Sequence, residues 1–116
     1  LNQTGKAALD DVMLKNFQYD LQLEEFALLC GRSLSAFKRD FKSAYQASPA
    51  RWINDKRLDY ARSLLVSSDM NVNDVCYESG FKNPTHFNRI FKDKFGLSPG
   101  QFRMAGAESE MHQASS

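Results

Sequence analysis

Ser35–Pro49 (SAFKRDFKSAYQASP) and Thr85–Pro99 (THFNRIFKDKFGLSP) are two copies of one pattern. At an offset of 50 they share six of fifteen positions: Phe37/Phe87, Arg39/Arg89, Phe41/Phe91, Lys42/Lys92, Ser48/Ser98 and Pro49/Pro99. Ser35/Thr85 and Tyr45/Phe95 are close substitutions. Upstream the match continues at an offset of 49, through Leu23/Val72, Phe26/Val75 and Gly31/Gly80, so one residue has been gained or lost in the turn between. Each copy is one supersecondary unit, and two of them make a duplication rather than a solenoid.

Each copy reads as helix, short turn, helix. In the first, Leu23, Phe26, Ala27 and Leu29 form an amphipathic run that stops at Gly31, a residue that accepts the left-handed conformation beyond a helix end. Ser33 caps a second helix with an apolar stripe of Leu34, Phe37, Phe41 and Tyr45, at steps of three and four. In the second copy Val72, Val75, Cys76, Ser79 and Gly80 repeat the first run, and Asn71 with Asp74 resembles a capping box. Asn83 then caps a helix that opens on Pro84, carries Phe87, Phe91 and Phe95, and closes at Gly96.

Opposite each phenylalanine stripe lies a polar one. It is Ser35, Lys38, Arg39 and Lys42 in the first copy and Thr85, Asn88, Arg89 and Lys92 in the second. Both sets follow i, i+3, i+4, i+7 spacing, so each is continuous along one helix face. Either strip alone is what a solvated helix face shows. The same hydroxyl–arginine–lysine order twice, in a helix-turn-helix frame, suits a duplex groove: arginine can donate twice to guanine, asparagine pairs with adenine, and lysine reaches phosphates. Between the copies, residues 49–67 read as one helix, with Ser48 as cap and Trp52, Ile53, Leu58, Ala61, Leu64 and Leu65 as apolar positions. Such a rod is about 28 Å long, close to the ~34 Å between successive major-groove faces on one side of B-DNA.

Composition agrees with a small folded domain. The chain has 116 residues, 42% apolar and 25% charged, and its longest unbroken apolar stretch is Phe26–Cys30. That excludes a membrane-spanning helix, which needs about 20 apolar residues, and a wholly disordered chain. No basic–apolar–small-residue pattern opens the chain; a start at Leu1 rather than Met is what an excised fragment or processed product shows. The net charge of +1 hides a division: residues 1–30 carry −3, 31–69 carry +4, 70–103 carry +2 and 104–116 carry −2. A basic interior favours a polyanionic partner. Cys30 and Cys76 read as reduced packing residues, and His86 and His112 stand at no metal-ligand spacing with them. No metal or cofactor is implied. No nucleophile–base pair, paired carboxylates or phosphate-cradling glycine loop points to an enzyme.

Val72–Arg103 (VNDVCYESGFKNPTHFNRIFKDKFGLSPGQFR) closely resembles the signature of the DNA-binding domain of the AraC/XylS family of bacterial transcription regulators. The matching residues are Gly80-Phe81, Phe87, Arg89, Phe91-Lys92, Gly96, Pro99 and Arg103, and RLDYARSLL (Arg57–Leu65) has the family's connector pattern. The resemblance spans roughly Leu9 to Arg103. It implies an all-α fold of about seven helices: two homeodomain-like helix-turn-helix subdomains joined by a long connecting helix. The chain then divides into residues 1–47 (first helix and first helix-turn-helix), 48–68 (connecting helix), 69–103 (second helix-turn-helix) and 104–116 (a frayed tail).

The resemblance also implies that the second helix of each half enters a major groove of double-stranded DNA. Carried onto this chain, base reading falls to Ser35, Lys38 and Arg39, then to Pro84, Thr85, Asn88 and Arg89; Pro84 has no polar side chain where family members often place one. Phosphate contacts fall to Lys42, Lys82 and Lys92, with His86 beside the second strip. Gln46 stands where the family usually has glycine, and Cys76 where it has alanine. Asp10, Asp11, Glu24 and Glu25 read as a solvated acidic face. Cytoplasmic action at the bacterial nucleoid and a further effector-binding or dimerisation domain outside this chain also follow from the resemblance. The reading from a different class is a helical adaptor that contacts RNA polymerase or another regulator.

Overall fold

The computed structural model describes residues 2–106, with no strand among them. The helices are α1 (Asn2–Asn16), α2 (Leu23–Leu29), α3 (Leu34–Tyr45), α4 (Pro49–Ser67), α5 (Val72–Glu78), α6 (Pro84–Phe95) and α7, helical over 99–106. Four residues separate α2 from α3 and five separate α5 from α6, so the repeat's extra residue falls in the second turn. Gly31 and Gly80 both take positive φ there, at 69° and 108°.

Local chemistry sets the helix starts. Ser33 accepts the Ala36 N–H at 3.2 Å, and Asn83 accepts the His86 N–H at 3.1 Å with Pro84 at the first turn of α6. Ser48 Oγ accepts the Arg51 N–H at 3.2 Å, and its counterpart Ser98 accepts the Gln101 N–H at the same distance. Asn71 takes the Asp74 N–H at 2.8 Å, but the return bond runs from its side-chain amide to Asp74 Oδ2 at 3.1 Å, so the expected capping box is only half formed. A bond from the Gln22 N–H to Glu25 Oε1 opens α2 at 2.9 Å.

The chain forms two compact units, residues 1–57 and 58–116. The first has a core of Leu9, Met13, Phe26, Ala27, Phe37, Phe41 and Ile53. The second has Leu58, Ala61, Leu65, Val75, Cys76, Phe81, Phe87 and Phe91. The long connecting helix is therefore not a separate segment: its first half closes the first core and its second half opens the next. The copies also extend further than Pro49 and Pro99. Trp52 meets Phe41 edge-on at 5.7 Å, and Phe102, fifty positions later, meets Phe91 edge-on at 5.8 Å, both at 81°.

Three expectations change. The α2 stripe closes on half-buried Cys30, while Leu29 is 52% exposed. At 100° per residue, Leu23, Phe26, Ala27 and Cys30 share one face and Leu29 falls off it. Residues 104–106, placed in a frayed tail, continue α7, and 107–116 lie outside the described residues. Asp10 does not belong to a solvated face, because it accepts a hydrogen bond from the Tyr45 hydroxyl. Burial, then that bond, pushes the Tyr45 phenol well above its ordinary range.

Two arginines hold the helix junctions. Arg57 Nε donates to the Phe17 carbonyl at 2.6 Å and Nη2 to the Tyr19 carbonyl at 2.8 Å, beyond the end of α1. Arg103 Nε donates to the Leu65 carbonyl at 3.0 Å and Nη2 to the Ser68 carbonyl at 3.2 Å, at the end of α4. Each guanidinium ties two carbonyls at or just beyond a helix end to a helix distant in sequence.

Candidate nucleic-acid interface

With Phe37 and Phe41 buried, α3 has to turn its other side to solvent. Ser35, Lys38, Arg39 and Lys42 are all exposed there. In the second unit, burial of Phe87 and Phe91 likewise exposes Thr85, Asn88, Arg89 and Lys92. Lys82 is exposed in the turn before α6, and Pro84 is half-buried, its ring used to start the helix. Each predicted set thus gathers on one helix face within its own unit.

The charges on these faces are mostly uncompensated. Among the described residues, Lys38, Lys42 and Lys92 have no carboxylate partner. Arg39 is 75% exposed and donates from Nε to Asp40 Oδ1 at 3.2 Å. Asp40 also receives Arg32 Nε at 3.0 Å, and these guanidiniums, Arg32 foremost, hold its carboxyl below the usual range. Arg89 lies with Nη2 3.1 Å from His86 Nδ1. Spacing shows which residues share a face, while the contacts of Asp40 and His86 with the strip arginines depend on rotamers. The i, i+3 spacing of His86 and Arg89 was the available signal for the second contact.

Lys38 and Lys42 also line a cleft of about 350 Å³ with Leu23, Ser48, Pro49 and Ala50. The first turn of α4 borders it through Pro49 and Ala50, so two lysine side chains and a helix start share this cleft. Both cysteines are free, and burial raises both thiols above their ordinary range. Cys76 is fully buried, consistent with its reading as a core residue. Among the described residues no group of His, Cys, Asp and Glu is placed to hold a metal, and no helix is long and apolar enough to cross a membrane.

Two helix-turn-helix units, each with an exposed cationic second helix, define the class as a helix-turn-helix domain. The family described as a helix-turn-helix domain matches residues 26–105, and the chain belongs to it as an AraC/XylS-type member. It is 34% identical over 96 residues to the HTH-type transcriptional regulator ExsA of Pseudomonas aeruginosa, covering 83% of this chain and 34% of that protein. It is 33% identical over 104 residues to the virulence regulon transcriptional activator VirF of Yersinia enterocolitica, covering 90% of this chain and 38% of that protein. The chain thus spans little more than a third of these relatives' length. Among solved structures, it is similar to the DNA-binding domain of the global transcriptional factor AdpA in complex with a target DNA, with a TM-score of 0.79 and 29% identity over 84% of this chain and 91% of that one.

Proposed function

We propose that this domain binds double-stranded DNA sequence-specifically as part of a bacterial transcription regulator, with α3 and α6 as recognition helices in successive major grooves. The observation that carries the reading is the exposed hydroxyl–arginine–lysine strip at equivalent positions of both helices, opposite a buried phenylalanine pair. Ser35, Lys38, Arg39, Thr85, Asn88 and Arg89 read base edges. Lys42, Lys82 and Lys92, with helix N-termini, hold phosphates and fix the register. The similarity to a DNA-bound domain of AdpA supports the partner. This function is binding alone, with no catalytic step, cofactor or metal, and its setting is the bacterial cytoplasm at the nucleoid. In an intact regulator of the relatives' size, the remaining length would hold an effector-binding or dimerisation domain, and contact with RNA polymerase would be a property of the whole protein.

Selection of bound sites from a random duplex pool tests the reading. Two short conserved blocks about one helical turn apart are expected. Arg39→Ala and Arg89→Ala should each cost about 1–3 kcal/mol and relax preference in one block only. Unchanged affinity and preference in both variants would remove the assignment of these arginines; failure to enrich any duplex would favour the adaptor reading.

A further inference from the structure

The two units hold their equivalent arginines by different chemistry. In the first, position 36 is Ala36 and position 40 is Asp40, and Arg39 pairs with that carboxylate. Fifty positions later the same places are His86 and Ile90. Ile90 offers no polar group, and Arg89 instead meets the imidazole one turn back, with Nη2 to Nδ1 at 3.1 Å. A guanidinium only donates, so the imidazole nitrogen has to accept, which requires a neutral ring with its proton on Nε2.

We propose that His86 is a positioning residue for Arg89: its neutral ring holds the guanidinium and sharpens base discrimination by the second unit, and a protonated ring releases it. The inference rests on the DNA-reading role above. A proton on Nδ1 would turn the acceptor into a donor and put two cations at hydrogen-bond distance. The guanidinium then loses this anchor, and orienting it for a bidentate base contact costs more side-chain freedom. In the first unit Asp40 stays charged through the neutral range, so Arg39 lacks this dependence.

The other charged groups near the pair lie on α6 itself, in the turn before it, and on α4, α5 and α7. On α6 itself Asp93 is two turns beyond His86 and one turn beyond Arg89, Lys92 is likewise one turn beyond Arg89, and Lys82 precedes the helix. On α5, Asp74 is bonded to Asn71, and Glu78 is exposed near the helix end. On α4, Asp59 is paired with Lys94 and Arg62 lies over the Phe95 ring. On α7, Arg103 donates to the Leu65 and Ser68 carbonyls. None of these bonds involves the imidazole.

The test uses the full 116-residue chain, a duplex selected with it, and a second duplex changed at the one base pair whose preference Arg89→Ala relaxes. The ratio of the two affinities is measured from about pH 5.5 to 8. The wild-type ratio is expected to fall roughly three- to tenfold towards pH 5.5. His86→Gln, whose amide oxygen can accept from Arg89 at every pH, should keep a flat, high ratio, and His86→Ala a flat, low one. The base pair read by Arg39 should show no change, and His112→Ala should follow the wild-type curve. Circular dichroism at both pH limits checks that the helices persist, and the His86 side chain is on the surface. A flat wild-type ratio, or a wild-type curve retained in His86→Ala, overturns the inference while leaving DNA reading intact. Absence of sequence preference at every pH takes down both.

Discussion

Asp40 joins the turn between α2 and α3 to the strip on α3, because one carboxylate receives both Arg32 and Arg39. Its folded ionisation lies below the unfolded value, so the stabilisation is present above an ordinary carboxyl's range and is lost as pH falls through the folded one. Asp40→Asn should therefore melt below wild type at pH 7, and the gap should narrow as pH is taken below about 4. Thermal melts at pH 7, 4 and 3 check this; a constant gap would mean that the charge contributes nothing to stability. At this scale the residues of the candidate interface were legible in the sequence, since burying Phe37 and Phe41 leaves Ser35, Lys38, Arg39 and Lys42 only one side to occupy. Their side-chain partners were not legible. Asp40 is adjacent to Arg39 in sequence, and i, i+1 neighbours do not ordinarily face each other on a helix, so periodicity gives no hint of that contact.

Between elements, the two recognition helices end in the same conformation with different residues. Gly96 takes φ 83° at the end of α6, and Gln46 takes φ 55° at the end of α3. A side chain in this left-handed region meets a clash that glycine avoids. Gln46→Gly should thus stabilise the first unit by about 0.5–1 kcal/mol, after the greater flexibility of unfolded glycine is set against the relieved strain. Gly96→Gln should cost about 1 kcal/mol through the backbone alone, because nothing lies within 4 Å of a Cβ built there. Urea melts of both variants measure the pair, and a destabilised Gln46→Gly would show that the Gln46 side-chain bond to the Ser43 carbonyl outweighs the strain. Most element boundaries could be read from caps and periods: Pro49–Ser67 follows from the Ser48 cap and the spacing of its apolar residues. The carbonyl clamps of Arg57 and Arg103 could not, since each joins residues 35 to 40 positions apart. The Trp52–Phe102 equivalence was within reach, because the offset of 50 simply continues past Pro49 and Pro99.

For the molecule as a whole, a near-neutral net charge of +1 conceals a basic stretch from residue 31 to residue 103. Binding that neutralises phosphates releases counterions, so affinity should fall steeply with salt. Lys42→Ala and Lys92→Ala should each weaken binding to all duplexes alike and lower the salt slope by about 1. Filter binding between 50 and 200 mM salt distinguishes them from the arginine variants, which should mainly change preference. Fold class was readable at this scale because duplication shows every apolar period twice. The division of the chain was not, since a 19-residue helix looks like a linker until its side chains are assigned to cores. That helix passes from one unit to the other between Arg57 and Leu58. A protease nick or engineered truncation there would leave stubs of nine and ten residues, shorter than the ~12–15 at which an isolated helix becomes even marginal in water. Fragments meant to stand alone must therefore overlap, each keeping all of Pro49–Ser67, and circular permutants should open the chain anywhere but there.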